Sequence, residues 1–338
     1  MTRKTDDESR DDASNTIAFR VTRDEAGRRV DKLVAEHGKS GGRRKVAELF
    51  ERGAVRVGGH VVKKGAVARE GDSVSVHLSD AIRPEPDAPL VVRLETRDVV
   101  VVDKPASQPT APARDGDVGT LAGALLGRYP EMASVGYRAR EPGLLHRLDT
   151  ETSGLVIAAR SPEAFASLRA ALSEGRIGKR YLAVVRAADL PESGVVETPL
   201  EPDPDDGRRV AVPAGFVRGA LGAPRDARAA PRAPQKTKAD EAPRTRITRF
   251  RTVHVAHDWA LVEVEAPRAY RHQVRVHLAF IGHPIAGDAL YGGPKAPLAG
   301  QRHALHASYV AWTGDDVVPA FAVESPLPDD LAALVFPR

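Results

Sequence analysis

Apolar residues recur along this chain with two distinct periods. Between residues 30 and 50 the spacing is helical: Val30, Leu33 and Val34 share one face of a first helix, and Val46, Leu49 and Phe50 one face of a second. Ser40-Gly41-Gly42 breaks the chain between them, with Ser40 or Gly42 placed to cap the second helix and Gly53 to end it. Short alternating strands follow at Val55-Arg56-Val57 and Val61-Val62, and Gly71-Asp72 turns into Ser73-Val74-Ser75-Val76. Residues 17–80 thus read as a small α/β module. Ahead of it, residues 1–16 carry dense charge and no apolar cluster, the pattern of a disordered tail.

Residues 81–89, Ala-Ile-Arg-Pro-Glu-Pro-Asp-Ala-Pro, read as an extended, semi-rigid linker. From residue 90 to 338 strand patterns (99–102, 155–159, 181–185, 259–264) mix with helical ones (121–126, 164–172, 272–280). There is no regular strand–helix alternation and no Gly-rich phosphate loop, so the class is α+β rather than doubly wound. Residues 201–246 stand apart, crowded with Pro, Ala, Arg, Asp and Gly. They read as an insertion without ordered structure, either a tolerated surface loop or a basic arm.

The chain has 338 residues, enough for a catalytic domain and one small module. Lys+Arg 50 against Asp+Glu 46 leaves a formal charge of only +4, so local basic clusters say more about a polyanion partner than the total does. The absence of cysteine excludes disulfides, thiolate zinc sites and a cysteine nucleophile. No apolar run is long enough to span a bilayer and the N-terminal stretch lacks a secretory core, so the expectation is a soluble cytoplasmic protein, by default a monomer.

One string concentrates the chemistry: His146-Arg147-Leu148-Asp149-Thr150-Glu151-Thr152-Ser153-Gly154. It puts a carboxylate, Asp149, in a polar turn before the apolar run Leu155-Val156-Ile157-Ala158-Ala159, which reads as a buried strand. A carboxylate beside arginine at the lip of a strand is open to use as nucleophile or base. A turn Asp bonded to its own backbone is the plainer reading. If the segment is extended, Arg147 and Asp149 point the same way.

The whole string resembles the catalytic motif of RluA-type RNA pseudouridine synthases, His-Arg-Leu-Asp-basic-x-Thr-Ser-Gly. Lys179-Arg180-Tyr181-Leu182-Ala183 is similar to that family's Lys-x-Tyr-x-Ala, and His272-Gln273-Val274-Arg275-Val276-His277 to its His-Gln-Ile-Arg-x-His. Gly287-Asp288-Ala289-Leu290-Tyr291-Gly292, Arg302-His303-Ala304-Leu305-His306-Ala307 and Ser325-Pro326-Leu327-Pro328 extend the likeness. The resemblance implies a catalytic domain built on a central mixed, mainly antiparallel sheet. It implies Asp149 as the essential carboxylate, Tyr181 as the face that stacks on uracil and accepts the C5 proton, and Arg275 as a bidentate partner keeping Asp149 ionised. His146, Arg147, Lys179 and Arg271 are then substrate-binding candidates. The N-terminal module resembles the S-four-like (alpha-L) RNA-binding domain, which makes Arg43, Arg44, Lys45, Lys63 and Lys64 candidate phosphate contacts.

The implied reaction breaks the N1–C1′ bond of a uridine and rejoins the base through C5. It is redox-neutral and calls for no cofactor; whether the carboxylate attacks the base, attacks C1′ or takes a sugar proton stays open. The implied substrate is ribosomal RNA of the large subunit, with transfer RNA or a non-catalytic RNA-binding factor as alternatives. His272 with His277, or His254 with His257, lacks the third ligand cluster a metal site needs, which sets a metal-dependent nuclease or deaminase aside. The chain departs from the family at Thr150 (usually basic), at Arg268-Ala269-Tyr270-Arg271 (usually Thr-Gly-Arg-Thr), at Ser107 (usually Gly) and at Thr110-Ala111-Pro112 (usually Val-His-Pro).

Overall fold

The computed structural model describes residues 16–37, 43–51, 53–77, 82–114, 116–138, 140–216 and 245–337. They form two compact units: residues up to Ile82 with the stretch Ala113–Gly116, and Arg83–Pro112 with Asp117–Arg338.

The first unit contains β1 (Thr16–Arg20), α1 (Val30–His37), α2 (Arg43–Glu51), β2 (Val55–Val57), β3 (His60–Val61) and β4 (Ser73–His77). Its four strands make an antiparallel sheet in the order β1-β4-β2-β3. The two apolar helix faces and the inward residues of the strands, among them Leu33, Leu49, Phe50, Val55 and Val74, close one core. The expected cap residues Ser40 and Gly42 and the tail 1–15 lie outside the described residues, as do the side chains of Arg43, Arg44 and Lys45. Lys63 and Lys64 are exposed just beyond β3.

The second unit opens with β5 (Val91–Glu95), β6 (Val99–Lys104), α3 (Leu121–Arg128), β7 (Ser153–Ala159), α4 (Pro162–Glu174), β8 (Gly178–Arg186) and β9 (Ser193–Pro199). It continues through β10 (Glu201–Pro202), β11 (Val210–Ala211), β12 (Thr245–Ala256), β13 (Trp259–Glu265), α5 (Gln273–Phe280), β14 (Leu305–Trp312), β15 (Phe321–Glu324) and α6 (Asp329–Val335). Nine strands form one sheet, β5-β6-β7-β14-β8-β13-β12-β9, with β15 added on β14. Every pairing is antiparallel except β7 with β14. The unit is therefore α+β with a mixed central sheet.

The unbroken apolar runs of β6 and β7 are buried on both faces. On one side they meet α4, where Phe165 and Leu168 pack with Val99, Val101, Leu155, Ile157 and Trp312. The Ser161 hydroxyl accepts from the Ala164 N–H to start α4, and Gly175, in the left-handed region, ends it.

Two sequence expectations are corrected. The Pro-rich stretch is not a free spacer: from Arg83 on it belongs to the second unit, where the Glu85 N–H donates to the Gly123 carbonyl (2.9 Å) and its carboxylate accepts from the Gly119 N–H (2.7 Å). A Cβ on Gly127 would lie 2.4 Å from the Glu85 backbone, so only glycine lets this segment rest on α3. The stretch 201–246 is also not one unstructured insertion. Glu201–Pro202 pairs with Val210–Ala211 in a hairpin, and β12 has begun by Thr245. Its larger apolar residues lie in the first half, where Val210, beside Leu200 just ahead of the stretch, packs on Val276 of α5; an average over the whole stretch hides them. Residues 217–244 lie outside the described residues.

His277 joins α5 to two strands: Nδ1 bonds the Thr248 hydroxyl (2.8 Å) and Nε2 that of Thr198 (3.2 Å). Burial pushes its imidazolium down from 6.5 to about 4, and burial does the same to His303. Between pH 6.5 and about 4 the unfolded chain binds protons that these folded sites refuse, so stability falls as pH drops through that window. Each site contributes about 1.4 kcal/mol per pH unit. The urea midpoint is expected to fall over this range, and less steeply in His277→Gln. Equal slopes in the two proteins would mean that His277 takes a proton in the folded state.

Candidate active site

The Asp149 turn lies between the end of β6 and the start of β7, and nearly every residue of it is tied to another element. Thr110 accepts from the Leu148 N–H (3.2 Å) and donates to the Leu148 carbonyl (2.7 Å). Lys104, fully buried at the end of β6, donates to the carbonyls of Thr150 (3.1 Å), Pro105 (2.8 Å) and Gln108 (2.8 Å). Thr152 bonds His303 Nε2 (2.7 Å), and Ser153 bonds His306 Nδ1 (2.9 Å) and the Arg302 guanidinium (2.9 Å). At Gly154 (φ 114°) a Cβ would sit 2.3 Å from the Ala307 carbonyl oxygen. The Ser-Gly of the motif is thus the point where β7 and β14 come into parallel register.

Asp149 keeps a quarter of its side chain exposed, and its Oδ2 accepts from Arg275 Nη1 at 2.8 Å. The sequence expectation of a bidentate Arg275–Asp149 pair is corrected here. The fork of Arg275 goes to Asp288, with Nε to Oδ2 at 2.7 Å and Nη2 to Oδ1 at 2.9 Å, and Asp149 receives the remaining Nη1. Burial works to raise the Asp288 carboxyl, but the hydrogen bonds and charge of Arg275 outweigh it and hold it below its usual range. Burial opposes the Arg275 charge as well, and the two carboxylates reverse that, so the guanidinium stays protonated.

Behind the second oxygen of Asp149 stands His272, its Nε2 3.7 Å from Oδ1. His272 occupies the left-handed region (φ 55°) as the residue capping α5, a strained conformation for a side chain of this size. Its Nδ1 is 2.8 Å from the Tyr291 hydroxyl, which also accepts the Val210 N–H of the hairpin (2.9 Å). Burial keeps His272 neutral, against the pull of Asp149. All these groups are satisfied when Tyr291 donates to Nδ1, which leaves the imidazole proton on Nε2, facing Asp149.

Tyr181 is buried in β8, where burial, and then the Asp149 charge, push its phenol up to about 12. The Asp149 charge also bears on Lys104, which burial pulls down to about 7. Lys179, two residues before Tyr181 and so on the same face of β8, is buried and drawn down to about 8 by desolvation.

The remaining sequence candidates separate. His146 uses Nε2 to accept the Ile157 N–H (3.2 Å), and burial drives its imidazolium down to about 3, so it serves the strand. Arg147 is exposed and paired with Glu141 (3.0 Å). Arg271 donates to the carbonyls of Gly207 (3.1 Å) and Arg208 (2.5 Å), anchoring the β10–β11 hairpin. Three departures find their use as well. Thr150 acts through its carbonyl, Thr110 through its hydroxyl, and Arg268 donates to the Glu174 carbonyl (3.0 Å). Sequence reasoning assigned no role to Asp288, Tyr291 or His303, although each lay in a quoted motif, nor to Lys104. Among the described residues no cluster of metal ligands occurs.

Against known proteins, a family model described as RNA pseudouridylate synthase matches residues 98–280. That stretch holds Asp149, Tyr181 and Arg275. The chain belongs to the RNA pseudouridylate synthase family, RluA type. It is 31% identical to the ribosomal large subunit pseudouridine synthase D of Xylella fastidiosa, over 92% of this chain and 88% of that one. It is 29% identical to the uncharacterized RNA pseudouridine synthase YlyB of Bacillus subtilis, over 95% and 97%. Human RNA pseudouridylate synthase domain containing 4 shares the fold, with a TM-score of 0.52 at 21% identity over 72% of this chain and 90% of that one. As a member of this family the chain is an RNA isomerase.

Two substitutions test the wiring behind Asp149. Asp288→Ala strands a buried guanidinium and is expected to lower the unfolding free energy by about 3 kcal/mol. Tyr291→Phe removes the hydrogen bonds to His272 and from the Val210 N–H and frees the His272 tautomer, with an expected loss of about tenfold in kcat at unchanged RNA affinity. Equal losses in kcat and affinity would instead make the hydroxyl a packing element.

Proposed function

We propose that this chain isomerises specific uridines of large-subunit ribosomal RNA, with Asp149 as the reacting carboxylate. The observation that carries the reading is the Arg275–Asp149 contact at 2.8 Å, backed by the Asp288 fork. It fixes one carboxylate oxygen and leaves Oδ1 to meet the ribose or the base. The names of the curated relatives support ribosomal RNA of the large subunit as substrate. That substrate accords with a cytoplasmic location; among the described residues no helix is long and apolar enough to cross a membrane.

In this reading the target base leaves its stack and lies against Tyr181. Asp149 takes part in breaking N1–C1′, the freed uracil turns, and C5 bonds to C1′. Tyr181 then accepts the C5 proton. Burial and the Asp149 charge keep this phenol protonated at rest, so its oxygen takes the C5 proton as it passes its own hydroxyl proton on, and N1 of the turned uracil gains one proton for the one that C5 loses. Lys179, on the same strand face, supplies positive charge toward the substrate.

The first unit is proposed as an S-four-like RNA-binding module, with the exposed Lys63 and Lys64 touching phosphates together with Arg43, Arg44 and Lys45. Replacing both Lys63 and Lys64 by Gln is expected to reduce the salt dependence of RNA binding by roughly one to two units of slope, with kcat unchanged. An unaltered slope would remove them from the interface.

The reaction itself is tested with RNA carrying tritium at C5 of uridine. Ribosomal RNA is expected to release tritium with the native chain and none with Asp149→Asn, at RNA affinity within about threefold. Tyr181→Phe keeps the ring and loses the acceptor, and is expected to cost about 10²- to 10⁴-fold in rate. Release from transfer RNA alone would move the substrate class, and RNA binding without any release would point to a non-catalytic factor.

A further inference from the structure

Among the described residues Tyr137 is the most exposed large hydrophobic side chain, at 79%. It is nevertheless not loose. Its ring meets Phe165 edge-on, with centroids 5.1 Å apart and planes 85° apart. Phe165 is itself anchored in the core beneath α4. The contact orients the phenol by one edge and leaves a ring face in solvent, open to a stacking partner.

The neighbourhood says what kind of group would. Arg138 follows directly in sequence, and its guanidinium lies 3.3 Å from Glu141 Oε1. Arg147 reaches the same carboxylate oxygen, at 3.0 Å. Two exposed arginines, with 71% and 58% of their side chains in solvent, therefore share one carboxylate. Their joint charge exceeds that of Glu141, and the carboxylate holds both guanidiniums in the place and orientation a phosphate would require. Arg147 is two residues from Asp149 in the chain, and the side chain between them, Leu148, is buried. Arg147, largely exposed, and Asp149, a quarter exposed, thus flank that buried residue. An aromatic face beside a fork of arginines is the chemistry that binds an unpaired nucleotide, the ring stacking on the base and the arginines taking the phosphate.

We infer that Tyr137, Arg138 and Arg147 form a stacking subsite for an unpaired nucleotide flanking the target uridine, with Glu141 holding the arginines until an RNA phosphate displaces it. The inference rests on the RNA-isomerase reading of the Asp149 pocket and adds a second point of attachment. It gives the chain a preference for a single-stranded segment next to the modified position.

The full-length protein is tested by titrating a fluorescein-labelled oligouridylate and a blunt RNA duplex, alongside tritium release from labelled ribosomal RNA. Tyr137→Ala is expected to weaken oligouridylate binding and raise KM about tenfold, with kcat and duplex binding unchanged. Tyr137→Trp restores or exceeds native affinity because it restores a stacking face. Glu141→Gln removes the competing carboxylate and tightens oligouridylate binding at low salt. Tyr137 is at the surface, so these variants keep the fold, which the unfolding midpoint verifies. Unchanged oligouridylate binding in Tyr137→Ala, or an equal loss on the duplex, overturns the subsite. Native tritium release in that same variant, with none in Asp149→Asn, would show the subsite wrong and the isomerase reading intact. No release from the native chain would instead remove the reading on which the subsite rests.

Discussion

One buried guanidinium, Arg275, governs the active pocket. It has three directions in which to donate and spends two of them on Asp288 and one on Asp149. Burying a lone cation is expensive, and a single carboxylate with a quarter of its side chain exposed would not offset it. Asp288, almost wholly buried, meets that cost and fixes the plane of the guanidinium. Nη1 is thereby aimed at Asp149. Because only one bond reaches Asp149, its second oxygen stays uncommitted, which a bidentate pair would not allow.

The rest of the unit is arranged so that this geometry survives. The Asp149 turn is tied at Leu148, Thr150, Thr152, Ser153 and Gly154 to partners on two separate stretches of chain, 104–110 and 303–307. Three of these ties use neutral, buried polar groups rather than surface ion pairs, so salt does not screen them. Two of the ties, through His303 and His306, hold the turn to the approach and opening of β14. The hairpin of β10 and β11 joins the same network through Tyr291 and His272. A segment read from composition as an insertion is in this way two hydrogen bonds from the ring beside Asp149.

The departures from the family pattern are explained by which atom of each residue is in use. Thr150 replaces a basic residue, yet its contribution is a carbonyl held by Lys104, which any side chain leaves in place. Arg268 and Arg271 replace the usual residues ahead of α5 and work by holding backbone carbonyls of α4 and of the hairpin. Substitutions at such positions alter the walls of the pocket and leave Asp149, Tyr181 and Arg275 where they are.

What the sequence determined by itself was local and periodic. The helical faces at Leu33 and Leu49, the buried strands of β6 and β7 and the helix carrying Arg275 follow from side-chain spacing, because amphipathic period is a property of neighbouring residues. Asp149, Tyr181 and Arg275 were legible as motifs. The tertiary structure alone decided their partners. Asp288 and Arg275 are close in sequence, but His303 and Thr152 are not, and neither are Tyr291 and Val210. Periodicity carries no record of which distant donors will meet. The order of strands in the sheet, with β14 between β7 and β8, decided those meetings around the Asp149 turn.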